Sequence, residues 1–314
     1  MPYLDKTMQK RLEAKLAPIN KARPLSPPMI AKLREQFALE MTYNSNAIEG
    51  NRLSLKETYF VVSQGLTIKG KSLKDHLEAK DHYEALNYLY DLVERDKKHT
   101  FSAVLIRSLQ KLVVRETEPT SAGSYRTGNV RITGSSHRPP EAGEITHLVN
   151  DLVSWVVTNE KRLHPVELAA IAHHKLVHIH PFDDGNGRTA RLVMNVLLMR
   201  AGYPLATILK NDRKKYYDSL EKADKGNYTP FVRFVAQAVE RSLALYLKAI
   251  VPSGAVKNLY QPLSAISPRT PYSEKYLNLL ARTGKIDAHK EGRIWVTTHG
   301  AVEDYRNDRI RKRK

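Results

Sequence analysis

Residues 180–191 read His180-Pro181-Phe182-Asp183-Asp184-Gly185-Asn186-Gly187-Arg188-Thr189-Ala190-Arg191. One histidine, two carboxylates, a Gly-Asn-Gly turn and two arginines share this short stretch. The apolar residues Leu192, Val193, Val196 and Leu197 follow, so the spacing predicts a helix starting near Arg188, with the turn at its N-terminus. Successive backbone N–H groups in such a turn, with a helix dipole behind them, form an anion nest. Gly185 and Gly187 allow positive φ and close backbone approach. Arg188 and Arg191 are three apart and share a helix face. A carboxylate beside a polyphosphate is a usual Mg²⁺ ligand. His180 lies just outside, placed to take a proton. Anion, metal and base together point to phosphoryl or nucleotidyl transfer.

The stretch also resembles the HxFx(D/E)GNGRxxR signature of Fic-domain proteins, matched at every specified position. The resemblance implies a mainly α fold, a Fic-type helical core with a small β-hairpin flap. It implies AMP transfer from ATP to a protein hydroxyl, with Mg²⁺ as cofactor. His180 would be the general base and Asp184 the metal ligand. Gly185, Asn186 and Gly187 would form the phosphate nest, with Asn186 touching phosphate. Arg188 and Arg191 would hold the outer phosphates. Phe182 is expected to anchor the loop in the core, and Asp183 to face solvent or cap the helix. Toxins of the related Doc branch carry Lys where this chain has Gly187, which argues against phosphorylation. UMP and phosphocholine transfer stay open, because base selectivity is not written in this motif.

Upstream, Ser45-Asn46-Ala47-Ile48-Glu49-Gly50 resembles the inhibitory motif (S/T)xxxE(G/N) of the same family, in the class whose inhibitory helix precedes the core. The resemblance implies that Ser45, Glu49 and Gly50 form this motif and that Glu49 pairs with Arg191. A buried, bidentate pair of this kind is strong. It would occupy the arginine that a γ-phosphate needs. Capping offers a local alternative, with Gly50 ending a helix. Glu49 could also act as a base for the reverse reaction, removing AMP from a modified target with water.

Between the two motifs, helical patterns are expected over 54–64, 73–95, 102–114, 144–158 and from Pro165. Residues 120–140 change character, being rich in Gly, Ser, Thr and Pro, with the alternation Val130, Arg131, Ile132. A short β-hairpin is expected there. The resemblance implies that this flap pairs with an extended target segment and fixes its hydroxyl near His180. His174 and His178 are four apart on one helix face, as metal ligands can be. With no Glu between them as in HExxH and no Cys, hydrogen-bonded histidines are the expected reading.

Towards the termini, residues 4–17 pattern as a short amphipathic helix, 18–28 as a linker or arm, and Pro27-Pro28 as a helix start. Beyond the core helix, Tyr216, Tyr217 and Asp224 fall in a segment that resembles the family's YYxxLxxA. The resemblance implies that these residues line the nucleotide pocket. Asp accepts only, where Asn is frequent in the family. A last long helix is expected from Thr229 to about Ala249. The resulting division is 1–53 N-terminal helical arm with the inhibitory helix, 54–250 catalytic core, 251–271 linker, and 272–314 a small winged helix-turn-helix with a basic tail. The last unit resembles excisionase-like or MerR-like modules, and it could bind DNA or dock protein.

Composition bounds these readings. The chain has 314 residues with 41% hydrophobic and 27% charged, ordinary for a globular protein. No cysteine is present, which excludes thiolate nucleophiles, disulfides and Cys-based zinc sites. No apolar run is long enough to span a membrane, and the N-terminus lacks a signal-peptide core, so a cytoplasmic location is expected. The net charge of +18 points to an acidic partner such as nucleic acid, nucleotide or an acidic protein surface. Expected partners are thus a target protein with an exposed hydroxyl, the chain itself, DNA through 272–314, and no membrane. In the family, dimers can relieve inhibition, so a homodimer is one expected assembly. A DNA-binding regulator with a silent catalytic fold is the alternative function.

Overall fold

The computed structural model describes residues 2–95, 101–250 and 260–311. Helices dominate, as expected. They are α1 Lys6–Lys21, α2 Pro27–Ile48, α3 Leu55–Gln64, α4 Leu73–Arg95, α5 Ala103–Val113, α6 Ile145–Asn159, α7 Pro165–Ile179, α8 Asn186–Arg200, α9 Arg213–Asp224 and α10 Thr229–Ile250. Local chemistry sets many of the starts. Asp5 and Ser102 cap α1 and α5, Ser54 forms a capping box with Glu57 at α3, and Pro165 opens α7 after a His164 cap.

Helix α8 is the centre. Ala190, Leu192, Val193, Met194, Val196, Leu197 and Leu198 are buried on every side of it. A helix apolar all round belongs inside a core. Helices α7, α5, α4 and α2 surround it. This burial fixes the N-terminus of α8, and hence the Gly-Asn-Gly turn.

The C-terminal unit contains β1 Gln261–Pro262, α11 Leu263–Ile266, α12 Glu274–Arg282, β2 Ala288–Glu291, β3 Ile294–Thr297 and α13 His299–Arg311. The strands form an antiparallel sheet in the order β1-β3-β2. Glu291 faces Ile294, so Gly292 and Arg293 make a two-residue hairpin turn, with Gly292 at φ 61°. Leu263, Ile266, Leu277, Leu280, Ile286 and Val302 give the unit its own small core. It is fastened to the rest by buried charges. Lys15 Nζ lies 2.6 Å from Asp287, Arg11 bonds both Glu240 and the Gly284 carbonyl, and Gln237 donates to the Ala281 carbonyl.

Three expectations are corrected. The region expected as a β-hairpin flap carries no strand, and Val130, Arg131 and Ile132 run without a ladder partner. The arm that would return from the Gly134 turn ends in Pro139-Pro140, which cannot donate. The Gly128 and Pro140 carbonyls are instead taken by the Arg126 guanidinium. Of the expected linker 251–271, residues 251–259 lie outside the described residues, while 260–271 hold β1 and α11 and belong to the C-terminal unit. Helix α1 continues through Pro18 to Lys21 instead of ending before it. The proline ring and Ala14, whose carbonyl it leaves unbonded, are both exposed, so water replaces the lost bond.

Candidate active site

Helix α7 ends at His180, which adopts the left-handed conformation at φ 51°. A non-glycine residue holds such a conformation only where its surroundings impose it. Here the His180 N–H donates to the Leu176 carbonyl, and the His180 carbonyl accepts from Arg126 Nε at 2.9 Å. The Arg126 N–H also donates to the Pro181 carbonyl. Arg126 is buried and so clamps the loop that carries His180. Sequence reasoning gave it no such role. The legible signal was an arginine within a Gly/Ser/Pro-rich stretch, whose free carbonyls a buried guanidinium can collect.

The turn that follows is rigid. Asn186 Oδ1 accepts from the Phe182 N–H at 3.0 Å, and its Nδ2 donates to the Phe182 carbonyl at 2.7 Å. The Asn186 side chain is therefore spent on stapling the loop, which corrects the expectation that it touches phosphate. Phe182 is fully buried, and Asp183 is exposed, both as expected. Gly185 sits at φ 83°, where a Cβ would lie 2.9 Å from Val114 Cγ1, so side chains are excluded twice over. Gln110, also overlooked in the sequence, bonds the Asp184 carbonyl and the Gly123 N–H.

Both arginines are buried. Arg188 Nη2 lies 3.1 Å from Asp184, and its Nη1 lies 3.6 Å from Glu78. Its Nε and Nη1 have no hydrogen-bond partner among the described residues. Arg191 donates from Nε to Ser45 Oγ at 2.8 Å and from Nη2 to the Ser45 carbonyl at 3.0 Å. Nη2 also meets Glu49 Oε1 at 2.6 Å. Ser45 and Glu49 thus meet Arg191 as expected, with two differences. Glu49 takes one bond and not a fork, because Ser45 holds Nε. Its side chain is 32% exposed, so the pair is half in the cleft. Gly50 at φ 107° ends α2, so capping and pairing coexist. Glu49 also lies over the turn, where a Cβ on Gly187 would be 2.2 Å from Glu49 Oε1.

Glu49, His180, Asp183, Asp184, Gly185, Asn186, Gly187 and Arg188 line one cleft of about 130 Å³. Burial pushes His180 down to about 4, partly offset by the Val177 carbonyl, so the imidazole is neutral at pH 7 and able to accept a proton. Burial opposes ionisation of Asp184, but Arg188, the Gly185 N–H and Lys74 outweigh it and hold the carboxyl below its ordinary value. Asp184 fits a hard divalent cation. Its side chain is 36% exposed, it is ionised, and it opens onto the N-terminus of α8, where phosphate oxygens would complete the coordination.

The remaining expected residues divide. Tyr216 is buried and lies behind the site, with its hydroxyl 3.5 Å from Arg191 Nη1 and 3.0 Å from His173 Nε2. Tyr217 is exposed and stacks under Arg213. Asp224 Oδ1 meets His174 Nε2 and His178 Nδ1, each at 2.9 Å, which accounts for those histidines as hydrogen-bonded. Arg131 is exposed, and Val130 and Ile132 are partly so.

A family model described as Fic/DOC family matches residues 100–198. Protein adenylyltransferase Fic of Aedes aegypti is 39% identical over 249 residues, which is 79% of this chain and 49% of that protein. The chain spans about half the length of several such curated relatives. Among solved structures, a Fic-domain-containing signaling protein from Bacteroides thetaiotaomicron matches with a TM-score of 0.70 at 31% identity, covering 77% of this chain and 96% of the other. Fic-1 of C. elegans, residues 134–508, matches with a TM-score of 0.69 at 32% identity, covering 78% and 73%.

Proposed function

Because this chain belongs to the Fic/DOC family, we propose that it transfers AMP from ATP to a Ser, Thr or Tyr hydroxyl of a target protein or of itself, restrained by Glu49. The observation that carries this reading is one cleft holding a neutral His180, an anion nest and Glu49 on Arg191.

The target hydroxyl attacks the α-phosphorus. A bond from its oxygen to phosphorus forms, and the bond from that phosphorus to the bridging oxygen of pyrophosphate breaks. A ring nitrogen of His180 takes the hydroxyl proton. The backbone N–H groups at Gly185 to Gly187 bind the phosphate oxygens as charge develops. Arg188, with two donors unbonded among the described residues, binds an outer phosphate. Mg²⁺ held by Asp184 would neutralise phosphate charge. Glu49 keeps Arg191 from the γ-phosphate, and its carboxylate over Gly187 repels that phosphate. The segment 129–131, which has no strand partner, would offer backbone groups to an extended target chain.

Two wider readings accompany this one. Glu49 shares the cleft with His180, so it is also placed to activate water for AMP removal. We read the C-terminal unit, with α12, the β2–β3 hairpin and α13, as a winged module. Exposed Arg306 and Arg309 on α13 suit an acidic partner, DNA among them. A cytoplasmic setting and a homodimer belong to the same proposal. Among the described residues, no helix is long and apolar enough to cross a membrane.

The test uses ATP labelled on either the α- or the γ-phosphate, with Mg²⁺ and Glu49→Gly protein. AMP transfer puts only the α-label on protein. Protein carrying the γ-label would make the enzyme a kinase, and label persisting in Glu49→Gly with His180→Ala would remove His180 as base.

A further inference from the structure

His137, His178 and Asp224 come from three separate elements, the 120–140 segment, α7 and α9. Each offers a ligand atom, and these atoms lie within 4.8 Å of one another. From this convergence we propose a second metal site, for a divalent transition ion of the zinc type, that pins the 120–140 segment beside the catalytic loop. The site is separate from Asp184 and rests on its own geometry, and through Asp224 it borders the pocket that the family resemblance gives to the nucleotide.

The supporting geometry follows the rules of built metal sites. Zinc bonds to imidazole and carboxylate are about 2.0–2.2 Å, so neighbouring ligand atoms in a tetrahedral site sit roughly 3.3–3.6 Å apart. His178 Nδ1 and Asp224 Oδ1 are 2.9 Å apart, joined by a hydrogen bond whose proton the ion would replace as the pair opens slightly. A ligating histidine ordinarily donates its other N–H to a carbonyl, which fixes ring and tautomer. His137 Nε2 lies 2.8 Å from the His178 carbonyl, and a proton on that nitrogen leaves the Nδ1 lone pair free. A ligating carboxylate is itself usually hydrogen-bonded from behind. His174, 4% exposed, meets the same Asp224 oxygen at 2.9 Å and so holds the carboxylate in place. Two imidazoles and one carboxylate suit zinc more than magnesium, which prefers oxygen donors. Three protein ligands leave one position open, and the cleft along α6, α7 and α9 borders it, with Trp155 and Tyr228 in its wall.

The consequence is a flap whose position depends on metal. His137 is the only one of the three ligands in the loop segment, so ion binding ties that segment to two core helices.

The experiment uses the full chain, stripped with chelator, in an Asp184→Ala background that removes the other cation site. Co²⁺ is titrated and its visible d–d absorption followed, then Zn²⁺ is added. The proposal expects bands saturating at one ion per chain and bleached by Zn²⁺. It expects Zn²⁺ affinity to fall at least about tenfold in His137→Ala and in Asp224→Asn. His137 lies in a loop and is partly exposed, so its loss leaves the fold intact, which far-ultraviolet circular dichroism checks. Absence of bands in the Asp184→Ala chain would overturn the site, as would undiminished affinity in folded His137→Ala.

Discussion

An alanine at position 187 would press its Cβ against Glu49 Oε1, so two motifs 138 positions apart are fitted to each other at one atom. Around that point each residue has a separable job. Ser45 supplies both acceptors that fix the Arg191 fork besides Glu49. Ser45→Ala leaves a buried Nε–H unpaired, which costs roughly 1–3 kcal/mol. It should lower thermal stability while raising protein labelling above wild type but below Glu49→Gly. A melting curve read beside a labelling gel checks both. Asn186→Ala removes two buried bonds to the Phe182 backbone without touching phosphate. It should lose nucleotide affinity through a loosened turn, together with roughly 1–3 kcal/mol of stability. Unchanged affinity by calorimetry would mean that the turn holds its shape without the staple.

At the scale of elements, helices were legible because apolar periodicity, caps and prolines agree with one another. Helix α4 was expected over 73–95 and is found there, and Gly65 ends α3 in the left-handed conformation. The 180–191 motif was legible because its chemistry is contiguous. What escaped reading is non-local. Arg126 matters through carbonyls up to 55 residues away, and Gln110 through one 74 residues away. Alternation at 130–132 suggested a hairpin, but pairing needs a partner with free N–H groups, and prolines close the far arm. Helix α2 shows how the proposed inhibitory element is held. Its end is tied by Arg213 to the Ile48 carbonyl and by Asn46 to the Glu78 carbonyl. Its middle is tied by an Arg241–Glu40 ion pair. Arg241 also donates to the Lys290 carbonyl of the C-terminal sheet. Arg241→Ala is therefore expected to loosen α2 and raise wild-type labelling several-fold, with hydrogen exchange at 40–48 rising in parallel.

For the whole molecule, buried ionisable groups govern its response to mutation and pH. Glu240 is fully buried between Arg11 and Lys15, which join α1, α10 and the C-terminal unit. Glu240→Ala leaves buried cations unpaired and should cost roughly 3–5 kcal/mol in denaturant unfolding. Burial holds His82 and His173 well below their ordinary value of 6.5, with Arg191 adding to the effect at both, and it holds His180 at about 4. The unfolded chain therefore binds protons that the native chain refuses. Their contribution to stability is intact above pH 6.5 and is lost as pH falls towards 4. Melting temperature should decline across that window, and His82→Phe, if it packs, should flatten the decline.

The measurement that bears most directly on the whole account is protein-bound label from α-labelled ATP and Mg²⁺. It compares wild type, Glu49→Gly, and Glu49→Gly with His180→Ala. The account predicts weak label in wild type, strong label in Glu49→Gly and none in the double variant. Equal label in wild type and Glu49→Gly would contradict the restraint placed on Arg191, and no label in any form would contradict AMP transfer itself.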